Sequence, residues 1–429
     1  MESFFRLKEK NTDVKTEITA GITTFMTMAY ILFVNPDILS ATGMPFGAVM
    51  TATAVSAGIT TILMGLVTNY PFALASGMGL NAMFAFAVAP VAGWEAALGV
   101  VFISGILFFV LSIMGIIDYI DAAIPASLKR ATAAGIGLFI AFIGLKNAGI
   151  IVGDEATIVA LGDLSQPETF LAIIGLLIMA VLMAKKVRGA ILLGILLTTV
   201  VSFFMGITAF PTSLSDIFGA PASLAPIAFH MDLPGALRMG FMTVFAFAFV
   251  DIFDTLGTLM GTGARADFLD KEGRLPKIKE AMIVDAVGTV LGAVLGTSTV
   301  TTYVESTAGV SEGGRSGLTA VVAGVLFLAS LFLAPLAGLV PSGATAPALV
   351  IVGVLMMGAV MDIDFTDFTE AFPAFVTMLF MPFAFSIADG IAAGFLAYPI
   401  VKVVAGRNKE VHWFTYILAL VALVHFVFK

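Results

Sequence analysis

Cysteine is absent from the 429 residues, which excludes disulfides and thiolate metal sites. Histidine is nearly absent: His230, His412 and His425 are too scattered for a metal cluster with a catalytic water. No credible nucleophile–base set accompanies them, which argues against an intramembrane enzyme. Charge is the third scarcity. Only 12% of residues are charged, against about 25% in a soluble domain, and the mean hydropathy is +1.07. A soluble globular chain is thereby excluded. The net charge of −8 says little about partners, because the charges lie in loops, and no nucleic-acid partner is expected.

What fills the chain is apolar sequence in long runs. Helices suit these runs, since a membrane barrel needs short alternating strands. Forty-three glycines and seventeen prolines exceed what packing alone requires; they permit close helix contacts and broken helices. Spans fall at roughly 18–39, 46–68, 74–90, 94–117, 127–150, 168–185 and 189–208. After a polar, proline-containing stretch at 209–234, a second set follows. It lies near 235–263, 278–296, 304–313, 316–340, 345–361, 367–384, 387–405 and 411–428. That is one piece too many after residue 362: either 411–428 is appended, or 367–405 is a broken pair. The opening MESFFRLKEKNTDVKTE is charged and reads as a short interfacial helix, with Phe4, Phe5 and Leu7 on one side, not as a cleavable signal.

Basic residues sort the topology. They cluster at Arg6–Lys15, Lys129–Arg130, Lys185–Arg188, Arg265–Lys279 and Lys402–Lys409, and are missing from the loops at 151–167 and 209–234 apart from the flanks. The positive-inside rule makes the N-terminus cytoplasmic and puts the chain outside before residue 209. The second set then starts outside and is inverted relative to the first. Sequence echoes agree. Ile124-Pro125-Ala126-Ser127 parallels Val340-Pro341-Ser342-Gly343, and residues 56–79 parallel 285–309. Inverted repeats with matching broken segments mark secondary transporters.

The central stretch is GFMTVFAFAFVDIFDTLGTLMGTG, residues 240–263. Asp251 and Asp254 sit near its middle, where an ionised carboxylate costs at least about 2.5–3.5 kcal/mol unless it faces a cavity or a partner. Glu305 follows a second interrupted segment, TSTVTTYVEST (297–307), rich in β-branched residues that favour extended backbone. The segment PFALASGMGLNAMF (71–84) is too short and glycine-rich for a full span, and carries Asn81. Extended backbone at membrane depth must pair, so the two segments are expected to form a short antiparallel ribbon. Half-helices beginning near Met78 and Glu305 then aim their N-terminal ends at the centre.

Four runs carry a resemblance: TAGITTFMTMAYI (19–31), ALASGMGLNAMFAF (73–86), FVDIFDTLGTLMG (249–261) and GTSTVTTYVESTAGVSEGGRSGLTA (296–320). Together they resemble the AzgA-like adenine/guanine/hypoxanthine permease branch of the nucleobase:cation symporters, over essentially the whole chain. The resemblance implies an all-α polytopic protein with about fourteen transmembrane segments in two inverted seven-span repeats, spans 3 and 10 being broken and carrying short β-strands. It implies a core domain (18–117 and 235–340) and a gate domain (118–208 and 341–429), joined by the extracellular stretch 209–234 and preceded by residues 1–17. It matches the family's binding groups to Asp254, Glu305 and Asn81. Met78, Gly79, Phe253, Thr258, Thr302 and Ser306 complete the expected substrate site. Asp254, Glu305 and Asp251 are the expected proton carriers, because a low-dielectric setting favours the protonated carboxyl. The wider family's second acidic position in span 8 is Thr258 here, a departure that bears on the coupling.

Each residue also has a bland reading. Asp254 is then a helix-bundle carboxylate satisfied by threonines, and Glu305 only caps its half-helix. Asp251 binds a Thr hydroxyl or span 1, and Asn81 ties the broken segments together. Asp285, in MIVDAVG, is expected to make a structural hydrogen bond. Lys146 and Asp389 are expected to snorkel at span ends, and Ser311–Arg315 to form a tight cytoplasmic turn. The implied function is proton-coupled uptake of purine nucleobases by an inner-membrane carrier. No cofactor is expected beyond the coupling proton; the partners are a purine base and the lipid bilayer, with a homodimer as one admissible assembly. A xanthine, urate or pyrimidine carrier, or sodium coupling, is the alternative; a channel fits two central acids poorly.

Overall fold

The computed structural model describes residues 2, 4–117, 123–271 and 274–428. The expected boundary between residues 117 and 118 touches the undescribed stretch. Nine helices among the described residues are long and apolar enough to cross a membrane, the first Val14–Ser40 and the last Ile387–Val404. Shorter apolar helices accompany them at Met78–Ala92, Ala190–Phe204, Phe368–Phe383 and Trp413–Val427. The molecule is a helical polytopic membrane protein. In hydrocarbon the backbone has no water to bond, and the helix satisfies it within each segment.

The helices pack in two groups. Val14–Met28, Phe46–Thr68, Trp94–Met114, Ile278–Leu295 and Gly317–Ala329 pack on one another. Ala126–Asn147, Pro167–Ala184, Ser342–Met356, Phe368–Phe383 and Ile387–Val404 form the other group. Small residues set the spacing. A Cβ on Gly317 would overlap the Gly65 carbonyl, so Phe46–Thr68 and Gly317–Ala329 meet backbone to backbone.

Four short strands interrupt the helices: β1 (Leu74–Ser76), β2 (Ile151–Asp154), β3 (Ile158–Leu161) and β4 (Val300–Thr302). β1 and β4 pair antiparallel, with Leu74 opposite Thr302 and Ser76 opposite Val300. Each leads into a six-residue helix, Met78–Met83 and Ser306–Ser311. β2 and β3 form a hairpin where the sequence reading has a plain loop over 151–167. Ile151, Val152, Ile158 and Val159 supply the β-branched residues, and Asp154 holds the turn by accepting from the N–H groups of Ala156 and Thr157.

The N-terminal segment also differs from expectation. Residues 4–10 run as turns, not as an interfacial helix, and the first helix starts at Val14, capped by Asp13. Phe5 and Leu7 are buried against Leu318, which turns an expected lipid-facing stripe into a packing contact. After residue 362 the structure has three separate α-helices, and Trp413–Phe428 packs along Ile387–Val404. Asp389 does not snorkel: it is buried, with Oδ1 2.8 Å from His425 Nε2. Lys146 is exposed, its ammonium 5.1 Å from the centre of the Phe385 ring.

Two buried charges hold the ends of the helices. Glu17 is fully buried and accepts from the N–H groups of Arg315 (2.9 Å), Ser316 (3.1 Å) and Thr319 (3.2 Å), and from the Thr319 hydroxyl (2.5 Å). The tight turn after Ser311 is therefore tied to the first helix, and the opening turn of Gly317–Ala329 has its free N–H groups satisfied. Lys402 is also fully buried; its ammonium lies 2.6 Å from Glu370 and 2.8 Å from Glu410. Arg407 extends the network to Asp367 and Glu410.

The Arg407 hydrogen bonds hold the Asp367 and Glu410 carboxyls down at about 2. Groups with depressed values contribute stability above their ordinary range near 4, and that contribution is lost as pH falls toward 2. Arg407→Ala is therefore expected to melt below the parent protein at neutral pH, with the gap closing as pH falls from about 4 to about 2. Melting curves of the two proteins in detergent across that range check this; a gap independent of pH would count against the network.

Candidate substrate site

The site grows from the helix Phe241–Arg265. Residues three or four apart stack on one face, so Asp251, Thr255, Leu259 and Thr262 form a buried stripe. Asp254, Gly257 and Thr258 lie on the adjoining face and line a cavity. The two aspartates, one turn apart, thus part company. Asp254 is open to the cavity and has no hydrogen-bond partner among the described residues. Asp251 is fully buried and accepts from the Thr289 hydroxyl at 2.8 Å, with its second oxygen unpartnered.

Behind the ribbon stand further acids and threonines. Asp285 accepts from Thr255 (2.9 Å) and from Thr302 (2.8 Å), which fixes β4 to two helices. Its expected structural hydrogen bond is therefore present twice over. Thr289 donates to Asp251 and also meets the backbone of Val300. The bland reading of Asp251, a bond to a Thr hydroxyl, is the one seen here.

Two adjoining cavities share Asp254, Thr258, Gly77, Gly79, Ala133 and Met356. The larger, about 470 Å³, reaches Lys129 and Arg130 and includes Phe253. The smaller, about 260 Å³, holds Met78, Thr302, Tyr303, Glu305 and Tyr30. The larger volume lies in the range of small-molecule sites, roughly 300–1,000 Å³. Glu305 precedes the helix Ser306–Ser311 but makes no capping hydrogen bond with its side chain. Its Oε1 accepts instead from the Tyr30 hydroxyl at 2.9 Å. Capping is thus not what the carboxylate does.

Of the residues singled out from the sequence, Met78, Gly79, Phe253, Asp254, Thr258, Thr302 and Glu305 line one or both cavities. Three do not. Asn81 is buried beside Ser76, its amide nitrogen without a partner among the described residues. Ser306 accepts from the Ala73 N–H and ties its half-helix to the start of β1. Asp251 is turned away, as described. Gly79 is needed for close approach: a Cβ there would overlap Ile136 of the helix Ala126–Asn147.

Residues not anticipated from the sequence are Tyr30, Tyr303, and the far wall of Lys129, Arg130, Ala133, Ile136 and Met356. Tyr303 donates to the Ser76 carbonyl at 2.5 Å and braces the ribbon. The Lys129 ammonium lies 5.5 Å from the centre of the Phe253 ring, across the mouth of the larger cavity. Tyr30 carried one legible signal: it is the lone phenol in an apolar run, and a buried phenol needs a partner.

Comparison with known proteins agrees with this architecture. The transmembrane domain of the cyanobacterial bicarbonate transporter BicA superposes with a TM-score of 0.67 at 15% identity, covering 89% of this chain and 97% of that one, which shows a shared fold. The adenine permease AdeP of Escherichia coli K12 is 43% identical over 100% of this chain and 96% of its own length. The guanine/hypoxanthine permease PbuG of Bacillus subtilis 168 is 45% identical over the full length of both. The profile Xan_ur_permease, described as Permease family, matches residues 15–393, and the chain belongs to that family of membrane permeases.

Proposed function

We propose that the protein imports purine nucleobases, coupled to protons, across the inner membrane with its N-terminus in the cytoplasm. The observation that carries this reading is the convergence of Asp254 and Glu305 on one cavity beside the β1–β4 ribbon. Relatives named for adenine and for guanine/hypoxanthine transport support the substrate class. A purine edge presents adjacent N–H donors, and a carboxylate accepts them with charge-assisted hydrogen bonds. Asp254, with no protein donor bound, is free to do so.

The reading includes fourteen segments in two inverted sevens and alternating access between core and gate. Two groups of mutually packed helices support that division, as does the cavity between Asp254 and the Ala126–Asn147 wall. The larger cavity reaches Lys129 and Arg130, basic residues expected on the cytoplasmic side, so the conformation at hand is read as inward-facing. Gate movement across Gly79 and Ile136 then exposes the same carboxylates to the other side. Asp254, Glu305 and Asp251 are the proton carriers in this scheme, and Asn81 and Ser306 act by holding the ribbon.

Uptake of labelled adenine, guanine and hypoxanthine into cells tests the proposal. Accumulation is expected to collapse with a protonophore and to be poorly inhibited by adenosine or inosine. Nucleosides competing as well as free bases would sink the substrate class. Accumulation that survives loss of the proton gradient and membrane potential, with sodium present, would replace protons by sodium.

A further inference from the structure

Glu305 has two oxygens, and they differ. Oε1 is taken by the Tyr30 hydroxyl at 2.9 Å, within a side chain that is half-buried. Tyr30 itself is 1% exposed and sits where the helices Val14–Met28 and Ile31–Ser40 meet. Its backbone carbonyl accepts from Phe33 and Val34, so the phenol is carried on a fixed stretch of chain. Both Tyr30 and Glu305 line the smaller cavity with Asp254.

A phenol O–H beside a carboxyl donates to it and thereby occupies an acceptor oxygen. A proton arriving at Glu305 then goes to Oε2, the oxygen left for the cavity. When Glu305 is ionised, Oε2 accepts; when it is protonated, Oε2–H donates. We propose that Tyr30 is a positioning residue that makes Glu305 a one-atom reader, able to accept or to donate toward the ligand but never both at once. This rests on the purine reading above and extends it to discrimination between 6-amino and 6-oxo purines. Those two classes carry opposite donor and acceptor patterns along the same edge. A site with a defined donor or acceptor discriminates between such patterns, because the mismatched ligand leaves a polar group unpaired.

The groups facing Glu305 are few. Tyr30 comes from the junction of the first two helices, Tyr303 from the end of β4, and Asp254 from Phe241–Arg265. The helix Ser342–Met356 and its end contribute only Val352, Leu355 and Met356 to this cavity, and Ala126–Asn147 only Ala133; Lys129 and Arg130 line the neighbouring one. No lysine or arginine among the described residues is hydrogen-bonded to Glu305 in place of the phenol.

The experiment is calorimetric binding of adenine and of hypoxanthine to purified full-length protein at several pH values. In the parent protein the ratio of the two affinities is expected to change with pH, by about tenfold or more between the ionised and protonated forms of Glu305. In Tyr30→Phe the ring stays and the donor goes. At high pH the ionised carboxylate still only accepts, but at low pH Glu305 can offer either its hydroxyl or its bare oxygen, so the change of the ratio with pH is expected to shrink severalfold. Tyr398→Phe is the control: it also takes a buried phenol hydroxyl from a glutamate, Glu370, but lines neither cavity, so the pH dependence of the ratio should persist. A ratio as pH-dependent in Tyr30→Phe as in the parent overturns the proposal, as does a parent ratio that ignores pH. Failure of the parent protein to bind either base would instead overturn the purine reading, and the inference with it.

Discussion

Glu305→Gln and Asp254→Asn are expected to reach the membrane and to lose measurable purine uptake. The amide replaces one acceptor oxygen with a donor and sets it against the N–H groups of the base. Losing a charge-assisted bond and opposing two donors should cost about 2–4 kcal/mol, or roughly 30- to 1000-fold in affinity. The structure gives a reason to expect folded protein in both cases. Asp254 makes no hydrogen bond among the described residues, so its amide leaves no protein donor stranded. The Gln at 305 keeps a carbonyl oxygen for the Tyr30 hydroxyl. Asp251→Asn should be far milder in binding, since Asp251 faces Thr289 and not the cavity, and Asn retains an acceptor there. Binding constants in detergent decide the matter. A normal constant for Glu305→Gln would remove that residue from the site and leave Tyr30 as its only business.

Glu17→Ala is expected to have the largest effect on stability. The change strands the N–H groups of Arg315 and Ser316, while the Thr319 N–H keeps the Ser316 carbonyl and the Thr319 hydroxyl keeps the backbone carbonyl of residue 17. Leaving a buried donor without its acceptor costs about 1–3 kcal/mol for each such group. The consequence is poor expression and a melting temperature lowered by several degrees, while purine affinity in the surviving protein stays unchanged, because neither cavity includes Glu17. Glu17→Gln should fall between, its oxygen still serving one N–H while its amide opposes another. A Glu17→Ala protein that melts with its parent would show that water or a shifted turn takes over those donors.

The long apolar runs dictate a helical membrane protein, because backbone in hydrocarbon must be fully paired and a barrel would need short alternating strands. Acids in the middle of such runs stand out for the same reason, and Asp254 and Glu305 were legible as cavity-facing groups. The pairing of β1 with β4 was legible too, from two short segments that had no other way to satisfy extended backbone. What failed to show was which way a residue points. The helix Phe241–Arg265 carries Asp251, Asp254, Thr255 and Thr258 close together near its centre, so nothing in the pattern separates the inward Asp251 from the cavity-facing Asp254. Glu17 lay within a stretch read as an interfacial helix, yet it caps a turn 298 residues away. Tyr30 meets Glu305 across 275 residues, and the wall of Ala133, Ile136 and Met356 is built from ordinary apolar helix sequence. In a soluble protein the polar face of a helix reveals its orientation. In a membrane the outer face is as apolar as the inner one, so only the packing of whole helices against one another decides which side chains share the cavity.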